Sequence, residues 1–160
     1  MAFKSQINVS LGWNWNEGAV DNGRADYAKQ LLDAGGDFAA DAAWSAKEQM
    51  LVSGGSIALD LTALQKTILG GAYSVGLAAV KAVMVVNHAG GTLTLGGAPA
   101  NEWSAPFGSP GDQIALPPDN SCLLSNARTG WPVSAAQRNL KLAATGGDVI
   151  YSIVLIGTLI

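Results

Sequence analysis

Six Gly-Gly pairs, at 35–36, 54–55, 70–71, 90–91, 96–97 and 146–147, cut this chain into short apolar segments. Glycine reaches positive φ without a Cβ clash, so a pair between apolar runs predicts a tight turn or loop. Asn22-Gly23 adds a further turn signal upstream. A helical bundle could not carry all 20 glycines, because each interior one costs about 1 kcal/mol. A fold built from strands and turns can.

Between the pairs the hydrophobic period is two. Ile7, Val9, Leu11, Trp13 and Trp15 alternate with Asn8, Ser10, Gly12 and Asn14, the pattern of a half-buried strand. Ile57, Leu59 and Leu61 alternate with Ser56, Ala58 and Asp60, and Leu93 and Leu95 with Thr92 and Thr94. Ile114 and Leu116 follow the same rule. Such spacing predicts about eight or nine strands with short connections. The expected fold is all-β: one domain over 1–160, a two-sheet antiparallel sandwich with a jelly roll as its leading version. Strand order is left open.

Val80–Val86 and Val149–Ile156 are apolar at successive positions rather than alternate ones. Strands of that kind belong in the middle of a sheet or at a subunit contact. The end of the chain, Leu155–Ile160, is unusually apolar for a terminus and is expected to pair within the sheet or meet a neighbour. Two segments point partly elsewhere. Asp37–Met50 is alanine-rich, which favours a helix by propensity, yet Ala42, Trp44 and Ala46 alternate as a strand would. Thr62–Leu69 carries Leu61, Leu64 and Ile68 at helical spacing and predicts one or two helical turns.

Charge narrows the function. Charged residues make up 13% of the chain, about half of the roughly 25% usual in soluble domains. A surface so poor in charge is expected to hide part of itself against neighbours. No apolar run reaches the ~20 residues a membrane-crossing helix needs, so no membrane is expected as a partner. The opening Met1–Gln6 has no apolar h-region of a secretory signal. Net charge is −3 and the nine Lys and Arg residues are scattered singly, so no nucleic acid is expected either. One cysteine, Cys122, forms no internal disulfide and no Cys-type metal site, in keeping with synthesis in a cytoplasm.

No residue pattern names a catalytic or cofactor site. His88 is the single histidine, and it sits where an apolar run meets a Gly-Gly pair, so a polar turn residue is expected there. Cys122 lies in an apolar stretch and reads as a small buried hydrophobe rather than a thiolate. Asp37, Asp41 and Asp60 match no glycosidase or calcium-loop spacing and read as solvated turn and edge residues. The glycine-rich stretches contain no phosphate-loop motif. The chain is therefore expected not to be an enzyme, and to use no cofactor and no metal.

The five tryptophans carry more information. Such rings stack on sugars or anchor protein interfaces, and their alternative place is the core. Trp44 is expected in the core, and Trp103 with Phe107 on a loop exposed to a partner. With Trp13, Trp15, Trp131 and the terminal Leu159 and Ile160, they form the candidate interface set.

Six stretches, taken in order, resemble a family of small structural proteins encoded in tailed-bacteriophage genomes and prophages. They are Ile57–Leu64, Val80–Asn87, Leu93–Gly97, Asn101–Phe107, Asp112–Pro118 and Tyr151–Gly157. The resemblance runs from about residue 38 to the end and rests on strand-and-turn patterns. It implies a β-sandwich virion component, a decoration or cement protein on the capsid exterior, made in the bacterial host cytoplasm. The partners it implies are copies of itself, as a homotrimer, and the major capsid protein. The alternatives are a tail, baseplate or fibre component, and a carbohydrate-binding β-sandwich module.

Overall fold

The computed structural model describes residues 4–15, 21–32, 40–68 and 71–160. It is all-β: these residues contain no helix, and every ladder between strands is antiparallel. Strands β1 (Lys4–Trp15) and β2 (Asp21–Leu32) form a two-stranded ladder in which Trp13 faces Gly23 and Trp15 faces Asp21. Then follow β3 (Ala42–Leu51), β4 (Ser56–Asp60), β5 (Leu64–Ile68), β6 (Gly71–Val75) and β7 (Leu77–Gly96). The last are β8 (Gln113–Leu116), β9 (Asn120–Ser125), β10 (Trp131–Pro132) and β11 (Asn139–Leu159). Eleven strands are thus seen among the described residues, more than the alternation alone separates.

Two of them are very long. β7 and β11 pair along most of their length and form the middle of the principal sheet. Both β3 and β4 pair with β11, so the chain runs along one edge in two steps interrupted by the turn at Val52–Gly55. On the other side β9 and β8 pair with the first and second parts of β7, and Pro117–Asp119 separates them. The sheet is therefore four strand-paths wide, with all four interrupted or irregular at the same level. The short β10 adds two further pairs, Trp131 with Val80 and Pro132 with Ala79.

This level is where the sheet bends. Gly90-Gly91 and Gly146-Gly147 were expected at turns, but they lie inside β7 and β11. The register between the two strands shifts between Thr145 and Val149, and Gly90 and Gly146 take φ of 96° and 74°. Glycine here allows a continuous strand to change direction rather than reverse it. Buried Asn87 fixes the bend, its amide Nδ2 donating to the carbonyls of Gly91 and Leu116, each at 2.9 Å.

Bending brings the inner faces of the two halves together in a sandwich-like arrangement. Val83, Val85, Ile153 and Leu155 from one half join Leu93, Leu95, Leu140 and Leu142 from the other in a single core cluster. The doubly apolar segments are central, as expected, because β7 and β11 are flanked on both edges. Their second face is a smaller cluster in which Ala40 and Ala82 pack with Leu123, Ala127 and Ile156.

Of the two ambiguous segments, the alanine-rich one is a strand. Ala42 and Trp44 are buried while Ala43 between them is exposed, so packing on β11 overrides helix propensity. Asp37–Ala39 lie outside the described residues. The helical turns expected over Thr62–Leu69 are not present through Ile68, and Leu69 lies outside the described residues. Instead β5 pairs with β6, with Leu64 opposite Val75. The reason is local: the Asp60 carboxylate accepts from both the N–H and the hydroxyl of Thr62, at 2.9 and 2.6 Å. That Asx-type turn takes the backbone away from a helix just where one would start.

Candidate functional site

The predicted interface residues divide. Trp103 is fully buried, not exposed: Phe107 and Trp131 form T-shaped contacts with its ring, and its indole N–H donates to the Pro132 carbonyl at 3.0 Å. A ring whose polar edge finds a backbone acceptor belongs inside. Phe107 and Trp131 are half-buried against the same core. Trp13 and Trp15 are placed by backbone register alone. Leu159 and Ile160 do reach solvent, Ile160 at 79% exposure. Trp44 is in the core as expected, its indole donating to the Gln65 carbonyl.

The acids and the thiol read as structural. Asp41 accepts the Leu159 N–H at 2.8 Å and so ties down the end of β11. Asp60 holds the Thr62 turn and faces Arg138 at 3.5 Å. Asp37 lies outside the described residues. Cys122 is half-buried in β9, and burial pushes its thiol up, away from the thiolate. Among the described residues no three His, Cys, Asp or Glu side chains group as metal ligands, and no helix is long and apolar enough to cross a membrane.

His88 departs from its expected place. It is not in a turn but inside β7, as an extra residue between Asn87, opposite Tyr151, and Ala89, opposite Ile150. One residue further along β11 the other neighbour is irregular too. Tyr151 faces Gln49 and Ile153 faces Ala46, so Lys47 and Glu48 of β3 together oppose the single residue Ser152. Two β-bulges on opposite sides of β11 therefore converge on one serine.

Both bulges deliver a group to it. His88 Nε2 lies 2.8 Å from Ser152 Oγ, and the Glu48 backbone N–H donates to the same oxygen at 3.0 Å. Glu48 has φ of 50°, a left-handed conformation uncommon for a residue with a Cβ. It is that conformation that allows two residues to stand against one. Ser152 points away from the core because its neighbours Tyr151 and Ile153 are buried inward. Around it a surface depression of about 320 Å³ has an apolar floor of Met84, Val86 and Val154, with Lys47, Glu48 and His88 on its rim.

The sequence offered no route to this site, since Ser152 and His88 are 64 residues apart and Ser152 belongs to no motif. What joins them is strand pairing together with two local register shifts. Beside the site, toward the edge of the sheet, Met50 and Ile150 face each other across the β3–β11 ladder and are 69% and 41% exposed. Val52 is exposed two residues further on. In the comparisons with known proteins, no family model, no curated protein and no solved structure matches the chain.

Proposed function

We propose that the chain is a structural building block of a virion, acting as a decoration or cement protein on the exterior of a tailed-phage capsid. In this reading the folded sheet is a jelly-roll-like sandwich that self-associates, as a homotrimer, and binds the major capsid protein. The observation that carries the proposal is the exposed Met50–Ile150 pair with neighbouring Val52 on the β3 edge. Large apolar side chains paired at a sheet edge are the kind of surface an assembling partner covers. The exposed terminal Leu159 and Ile160 and the low charge of the chain point the same way. The sequence resemblance supplies the capsid context.

The test is quantitative mass spectrometry of purified particles, together with heat or chelator challenge of particles lacking the protein. The expected result is a fixed stoichiometry to the major capsid protein and a loss of particle integrity on deletion. Absence from particles would overturn the proposal, and a copy number of tail type would move it to the tail.

A further inference from the structure

We propose that Ser152 is a nucleophilic serine with His88 as its base, forming an acyl-transfer site for esters of small apolar acids. The proposal is independent of the structural role and rests on three features of the outer sheet face. The first is the contact itself, Nε2 to Oγ at 2.8 Å, which is the reach a base needs to take a hydroxyl proton. The second is its cost. The β3 ladder is interrupted at Ser152 and the β7 ladder one step before it, between Ile150 and Tyr151, and Glu48 is held at positive φ, a backbone conformation that persists only where its surroundings enforce it. The third is the apolar depression that opens directly on the serine.

The hydrogen bonds are compatible with proton flow from Oγ to Nε2. The Glu48 N–H can only donate, so it occupies an acceptor position on Oγ. The serine proton is then free to point at Nε2, in the imidazole tautomer that carries its own proton on Nδ1. In the acylation step Oγ attacks the ester carbonyl carbon and forms a new C–O bond. Its proton passes to Nε2, the ester C–O bond breaks, and His88 returns that proton to the departing alkoxide. Water then attacks the acyl-serine, gives a proton to Nε2, and releases the carboxylic acid as the proton returns to Oγ. Lys47 is the cation among the residues that line the depression, where a developing oxyanion would form. The apolar floor of Met84, Val86 and Val154 selects a short hydrocarbon acyl chain over a charged one.

A fluorophosphonate probe tests this on the purified full chain, with intact mass to count adducts and peptide mapping to place them. One adduct on Ser152 is expected, absent in Ser152→Ala. His88→Gln should slow labelling by about a hundredfold or more, the scale of general-base assistance. p-Nitrophenyl butyrate should give a burst of nitrophenolate in the parent chain and none in either variant. Circular dichroism confirms that each variant is folded, and mapping on the parent chain stands without any variant. No adduct, an adduct on another residue, or equal labelling of folded His88→Gln would overturn the proposal. None of these results bears on copy number in particles, so the structural reading stands or falls separately.

Discussion

Trp103 and Trp131 meet edge to face, with ring centroids 6.2 Å apart and planes at 88°. Phe107 approaches the same indole at 6.5 Å and 85°, so Trp103 makes two T-shaped ring contacts while its own N–H bonds Pro132. This arrangement locks the 101–107 segment and the short β10 onto the core. Trp103→Ala should destabilise the protein by about 3–5 kcal/mol, as large aromatic deletions in cores do. Trp103→Phe should cost less, about 1–2 kcal/mol, mainly from leaving the Pro132 carbonyl without its donor. Urea unfolding followed by circular dichroism checks the order of the two variants.

The bend can be tested with two glycines that differ in surroundings but not in the sign of φ. Gly90 and Gly146 both have positive φ, at 96° and 74°. A Cβ on Gly90 would overlap the Asp148 carbonyl oxygen, whereas one on Gly146 meets nothing within 4 Å. Gly146→Ala should therefore cost only the left-handed conformation, about 1–2 kcal/mol. Gly90→Ala must also push β11 away at the corner, and should cost at least about twice as much. Equal losses would mean that the bend does not depend on the close passage of β7 and β11.

These glycines also show where sequence reading reaches its limit. Alternation at Ile114–Leu116 marks β8, because Ile114 and Leu116 turn inward while Gln113 and Ala115 are exposed; at Ile57–Leu61 it marks β4, although Ile57 is exposed and only Leu61, just past the strand, is fully buried. Double-sided apolarity at Val80–Val86 and Val149–Ile156 likewise marks the central strands. A Gly-Gly pair, however, permits both a reversal and a bend, and only the partner strand decides between them. Gly54-Gly55 is a turn, while Gly90-Gly91 is a corner within one strand. The Ser152 site was out of reach for the same reason, since it depends on register shifts rather than on residue spacing. Trp103 was misplaced because its loop-like surroundings say nothing about which loop folds back over the core.

Glu102 offers a sharper test of how the loops after β7 are held. Its two carboxylate oxygens accept from two backbone donors, Gly97 N–H at 2.7 Å and Gly111 N–H at 2.8 Å. Charged acceptors make the stronger hydrogen bonds to backbone N–H groups. Glu102→Gln keeps the shape but replaces one acceptor oxygen with a donor NH₂, which faces an N–H. The expected loss is about 1–3 kcal/mol. Amide hydrogen exchange should localise it, with faster exchange at Gly97 and Gly111 and little change in β11.

Asp60 links stability to pH, and the sign follows from its partners. Burial by itself would raise its carboxyl; the hydroxyl and N–H of Thr62, with Arg138 adding its charge, outweigh that and hold it below the usual carboxylate range. A carboxyl whose pKa is lower folded than unfolded stabilises the protein above the unfolded value and loses that contribution as pH falls through the folded one. The contribution should thus be complete at neutral pH and decline only below about pH 4. Asp60→Asn removes the charge while leaving an oxygen able to accept from Thr62. The variant should be less stable than the parent at pH 7, and the gap should narrow steadily below about pH 4, where the parent protonates. Because Asp60 and Arg138 are each 37% exposed, the Arg138 share of the gap should shrink in high salt, while the Thr62 share should not. Thermal melts of both proteins across pH 2 to 7, at low and high salt, separate the two. A gap that stays constant with pH would show that the turn depends on the shape of Asp60 rather than on its charge.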